Sequence, residues 1–147
     1  MQDTSILDRL RQGLCSSSAQ ETAAIAAELA AALPPDCTLA LHGDLGCGKT
    51  TFVAGLAKGL GIAAPVTSPS YNLMSLHKGS ERMLAHLDAY RLQSAADMDA
   101  LMLEEFLHSP YCIALEWPER VQEWLPEGCI HLYLVDKGEG RRLIRIE

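Results

Sequence analysis

Gly43-Asp44-Leu45-Gly46-Cys47-Gly48-Lys49-Thr50-Thr51 is the stretch that decides the reading of this chain. Its first eight residues fit the Gly-x4-Gly-Lys-Thr phosphate-loop pattern. Glycines let the backbone curl so that successive N–H groups face phosphate oxygens, and a helix starting at the end of the loop adds its positive terminus. Lys49 is placed to reach the β and γ phosphates, and the Thr50 hydroxyl to ligate Mg2+. A chance match in a chain of this length is expected on the order of half a percent of the time.

The flanks agree with the loop. Cys37 to His42 is an apolar run suited to a buried strand. Phe52, Leu56 and Leu60 recur every fourth residue after Lys49, predicting a helix to about Leu60 with Gly61 as its stop. Upstream, Ser18 and Glu21 stand at capping-box spacing before an Ala-rich helix with Ile25, Leu29 and Leu33 on one face, ended by Pro34 and Pro35. Residues 1–17 read as a partly flexible lead-in. Downstream, Pro65 to Ser70 reads as a loop, and Tyr71–His77 with Arg82–Asp88 as a hairpin. Asp97 is a candidate cap for a helix ending by Pro110. Tyr111–Leu115 reads as a buried strand, Pro118–Leu125 as a short helix, and Cys129–Val135 with Arg141–Ile146 as two closing strands. A hairpin beside a strand–turn–helix unit predicts an α/β fold with a mixed central sheet.

A magnesium-nucleotide site needs a further carboxylate at the end of an apolar strand. Two positions qualify, Asp88 after Leu84–Leu87 and Glu116 after Ile113–Leu115. Position alone leaves open which of them holds magnesium and which positions water or senses the γ-phosphate. Asn72 is the only asparagine, so the Asn-Lys-x-Asp motif of guanine readers is absent and ATP is the expected nucleotide. A small-molecule or nucleoside kinase would need an acceptor pocket and an Arg-rich lid, for which little chain remains; a non-hydrolysing nucleotide-dependent adaptor is the other alternative.

Composition narrows the setting. Twelve basic against 19 acidic residues give a net charge of −7, which disfavours direct binding to a phosphate backbone. No apolar run approaches the length of a membrane helix and no signal peptide is visible, so a cytoplasmic protein without a membrane partner is expected. The 147 residues fit one domain. The five cysteines and five histidines show no metal-ligand or disulfide spacing, and most cysteines read as small buried hydrophobes. Cys47, near a helix N-terminus, is a candidate for oxidation-sensitive nucleotide binding. Trp117 reads more readily as core than as a base-stacking ring. Arg91 and Arg120 read as solvated, and the charges of Arg141, Arg142 and Arg145 as protection of an edge strand.

With these pieces in hand, the chain resembles the TsaE (YjeE) family, bacterial ATPases of tRNA threonylcarbamoyladenosine synthesis. The resemblance rests on the loop at 43–51, Val-Thr-Ser-Pro-Ser-Tyr at 66–71, Leu-Asp-Ala-Tyr-Arg-Leu at 87–92 and Leu-Glu-Trp-Pro-Glu at 115–119, in order over nearly the whole chain. It implies a P-loop NTPase-like three-layer fold with a mostly parallel sheet, ATP and Mg2+ as ligands, and TsaD and TsaB as protein partners, with tRNA contacted only through that complex. It also implies that Lys49 and Thr50 hold phosphate and magnesium, that Glu116 is a magnesium-site carboxylate, that Asp88 belongs to a second switch and that Thr67–Ser70 form the first. Cys47, Ser70 and Tyr71 depart from the residues many members carry there.

Overall fold

The computed structural model describes residues 5–43, 48–63 and 73–147. In chain order it runs α1 (Ile6–Gln12), β1 (Leu14–Ser16), α2 (Ala19–Ala32), β2 (Cys37–His42), α3 (Lys49–Gly59), β3 (Met74–Lys78), β4 (Met83–Asp88), α4 (Ala95–Asp99), β5 (Tyr111–Glu116), β6 (Ile130–Gly138) and β7 (Arg141–Ile146), with 3-10 segments at Leu103–Glu105 and Pro118–Trp124. The seven strands form one sheet in the order β1-β7-β6-β2-β5-β4-β3. The four inner strands β6, β2, β5 and β4 run parallel, while β3 and β7 run against their neighbours. Parallel strands must be covered on both faces, and they are. Leu39, Leu41, Cys112 and Ala114 point into a core under α1, α2 and α3. Ile113 and Leu115, one residue out of phase, point into a second core with Met98, Leu103 and Val121. This is the mixed, mostly parallel three-layer P-loop arrangement.

Local chemistry sets the helices. Ser18 Oγ accepts the N–H of Glu21 at 3.1 Å, capping α2 as its spacing predicts, although the Glu21 carboxylate reaches Ser17 N. Helix α3 packs on α2 through a seam that needs glycine: a Cβ on Gly55 would lie 2.4 Å from the Ala23 carbonyl oxygen, and one on Gly59 2.6 Å from that of Ala27. The alanines of α2 are therefore the complement of two glycines one turn apart. On the sheet side Phe52, Val53 and Leu56 are fully buried, each worth about 2 kcal/mol of transfer free energy.

Several expectations change. The lead-in carries α1 and β1, and β1 pairs with β7 along Arg142–Ile144, so that stretch of the strand is interior and the Arg142 charge does not guard an edge. The helix expected after Asp97 starts earlier, with Ser94 at its N-cap position but without a side-chain capping bond, and ends at Asp99; Asp97 accepts the Gln93 N–H, and left-handed Met102 breaks the run before a 3-10 turn. Pro118 opens a 3-10 segment kinked at Val121 instead of an α-helix. Strand β3 is found from Met74; Tyr71, Asn72 and the Pro65–Ser70 loop lie outside the described residues. Among the described residues no helix is long and apolar enough to cross a membrane.

Candidate functional site

The site grows from the C-terminal ends of β2, β5 and β4. Helix α3 opens on Lys49, preceded by Gly48 at φ 101, a left-handed turn that a side chain would strain. The first N–H groups of α3 lack partners within the helix, and its N-terminus carries the positive end of the helix dipole. Lys49 is 6% exposed; its Nζ donates to the Gly43 carbonyl at 2.7 Å and sits 4.1 Å from the centre of the Trp117 ring. Among the described residues no carboxylate forms an ion pair with it. Among the described residues this buried ammonium is met by a carbonyl and an aromatic face, a setting in which an anion would be strongly favoured. Thr50 is exposed on the first turn and Thr51 is half-buried beside it.

The two candidate carboxylates come together. Asp88 and Glu116 are register partners on β4 and β5, and Leu41 completes the row on β2. Because Ala114 belongs to the core under α3, Glu116 two residues on faces the same side, toward the loop–helix junction. Glu116 is 5% exposed and its Oε2 lies 2.6 Å from Nε2 of fully buried His86. Asp88 is half-buried and spends Oδ1 on the N–H of Tyr90, closing a turn. The sequence reading missed His86. Its signal was there: two residues before Asp88 on an alternating strand, it must share that carboxylate's face.

Trp117 follows Glu116 in a left-handed conformation (φ 57), which turns its ring back over the site. It packs against the core beside α4 and also faces Lys49, so core and site roles coincide. Tyr90 meets Trp117 edge-on at 5.1 Å, and the exposed Arg120 guanidinium lies 5.4 Å from the Tyr90 ring. On the opposite face of the sheet, His42 stacks on Tyr133 at 4.5 Å and its Nε2 is 2.9 Å from His131 Nδ1. Burial, reinforced by His131, pulls His42 below its ordinary value. A hollow of about 180 Å³ opens beside Gly48 and Thr51, walled by Ser17, Ser18 and Arg142. Asp44, Leu45, Gly46, Cys47 and Thr67–Ser70, all expected at the site, lie outside the described residues.

Comparison with known proteins places this geometry in context. Residues 16–144 match the family described as threonylcarbamoyl adenosine biosynthesis protein TsaE. The chain is 36% identical over 125 residues to the tRNA threonylcarbamoyladenosine biosynthesis protein TsaE of Bacillus subtilis, covering 85% of this chain and 78% of that one. It is 37% identical over 131 residues to the protein of the same name from Treponema pallidum, covering 89% and 96%. The crystal structure of Bacillus subtilis YdiB superposes with a TM-score of 0.73 at 33% identity, over 90% of this chain and 81% of that one.

Proposed function

The chain belongs to the TsaE family of threonylcarbamoyl adenosine biosynthesis proteins, and from that premise we propose that it is the ATP-binding and ATP-hydrolysing member of the tRNA threonylcarbamoyladenosine system, acting on a TsaD–TsaB pair to sustain repeated turnover. The observation that carries the reading is Lys49: a buried cation at the start of a helix, with no ion-pair partner among the described residues, beside two strand-end carboxylates. ATP and Mg2+ suit that charge pattern. The chain acts in the cytoplasm as a single domain and meets tRNA only through its partners.

In this reading Lys49 leaves the Gly43 carbonyl and the Trp117 face to take the β and γ phosphates, while the N–H groups of Gly48, Lys49, Thr50 and Thr51 cradle oxygens at the positive end of α3. Thr50 and Glu116 would hold the metal, which supplies neutralisation of the charge that builds on the transferred phosphoryl group. His86 keeps the Glu116 carboxylate aimed at the junction. Asp88, anchored to the Tyr90 turn, is the residue whose position responds to the γ-phosphate. The remainder of the nucleotide leaves the loop past Thr51 into the hollow beside Arg142.

The test is release of free phosphate from Mg-ATP by the protein alone and with the TsaD–TsaB pair, with Lys49→Ala as the control. Stimulation by the pair and loss of activity in the variant are expected. Full hydrolysis by a folded Lys49→Ala protein would remove the site; ATP binding without turnover in either condition would identify a nucleotide-dependent adaptor instead.

A further inference from the structure

Two cysteines far apart in sequence meet beneath the site. Cys37 opens β2 and Cys112 is its register partner on parallel β5. Both side chains belong to the core under α1–α3, so they leave the sheet on the same face; Cys37 is 7% exposed and Cys112 not at all. Neighbouring strands lie about 4.8 Å apart, inside the roughly 4.4–6.8 Å Cα window of disulfides. A bridge that departs from relaxed geometry is the more readily reduced. Arg82 stands over the pair, its guanidinium fixed by the Pro34 carbonyl at 2.7 Å and by that of Leu33.

We propose that Cys37 and Cys112 form a reversible dithiol–disulfide couple, a modification site for hydroperoxides built into the two strands that carry the phosphate loop and Glu116. The roles are unequal. The hydrogen bond with Cys112, helped by the Arg82 charge and opposed by burial, holds the Cys37 thiol below its ordinary 9.0. The same hydrogen bond and burial hold Cys112 well above it. Cys37, 7% exposed where Cys112 is fully buried, is the sulfur a hydroperoxide can reach and so the attacking one. As thiolate it bonds to the terminal oxygen of the hydroperoxide; the O–O bond breaks, and the departing oxygen takes up a proton and leaves as an alcohol, or as water from H2O2. The sulfenic acid on Cys37 is then attacked by the Cys112 sulfur, the S–O bond breaks, and hydroxide leaves as water with the Cys112 proton. Two thiols lose two electrons and two protons, and the peroxide oxygen accepts them.

The inference is independent of the nucleotide reading. Native, reduced protein is exposed to hydrogen peroxide, remaining thiols are alkylated in denaturant, and peptides are mapped by mass spectrometry. A Cys37–Cys112 linked peptide that disappears on treatment with reduced glutathione is expected. In Cys112→Ala, dimedone should label Cys37; in Cys37→Ala, Cys112 should stay a free thiol. Recovery of both cysteines as alkylated thiols in the wild type, while exposed Cys15 is oxidised, overturns the proposal whatever the variants do.

Discussion

His86 Nε2 and Glu116 Oε2 lie 2.6 Å apart on adjacent parallel strands, both side chains withdrawn from solvent. Parallel pairing puts Glu116 opposite Asp88, and His86 two residues earlier on β4 reaches diagonally to it. Among the described residues Nδ1 of His86 is buried without a partner, so the ring's polar contact is the one that Nε2 makes with the carboxylate. Removing the ring strands a buried carboxylate. His86→Leu should therefore lower stability by about 2 kcal/mol and raise the Mg2+ concentration needed for ATP-dependent phosphate release. His86→Gln should restore part of both. Thermal melting and a magnesium titration check the pair; an unchanged magnesium requirement in His86→Leu would assign the contact to stability alone.

The α2–α3 seam makes a sharper structural expectation. Alanine is the better helix former, yet Gly55→Ala should destabilise because its methyl would meet the Ala23 backbone at 2.4 Å. Overpacking against a carbonyl cannot be relieved by a rotamer change, and a net loss of about 2 kcal/mol is expected. Chemical denaturation reads it directly. A gain in stability would mean that the helices separate at no cost.

Acid should weaken the fold through the rings behind the loop. His42 is held below its ordinary 6.5, first by burial and then by His131, and burial does the same to His77. A depressed histidine binds its proton more readily in the unfolded chain. Stability from this source is present above about pH 6.5 and is lost as pH falls from there through the folded-state value. Melting temperature followed from neutral pH downward should fall, and the slope should flatten in His42→Gln.

If ATP occupies the site as proposed, Arg142 should distinguish nucleoside from phosphate recognition. Its Nε lies 3.6 Å from where a Cβ on Gly48 would stand, on the wall of the hollow beside Thr51. Arg142→Ala should weaken ATP binding about tenfold, or 1.4 kcal/mol, and leave inorganic triphosphate binding unchanged. Calorimetric titration with the two ligands distinguishes this from a general loss of positive charge, which would weaken both.

The sequence was most legible where local rules act alone. The strand before the Gly-rich stretch and the helix after it follow from glycine conformation and apolar spacing over a few residues. Strand β5 and its terminal Glu116 were equally plain. What escaped depends on partners distant in the chain. Three-residue β1 exists because β7 offers it an edge, and nothing in Leu14–Ser16 announces that. The short α4 ends at Asp99 and Met102 soon turns left-handed, against a helical spacing that runs on. The pairing of His86 with Glu116 and of Cys37 with Cys112 is a matter of strand order, and periodicity fixes a side chain's face without naming its neighbour.

The strand order also carries a timetable. Everything that forms the row Leu41, Glu116 and Asp88 has been synthesised by residue 116. Leu14, made early, must wait for Ile144 before its strand has anything to pair with. Closing that contact spans most of the chain, the kind of long-range step that slows folding. The sheet is thus expected to complete last at the β1–β7 edge, farthest from β3, with the row that carries the two carboxylates assembled before its scaffold is finished.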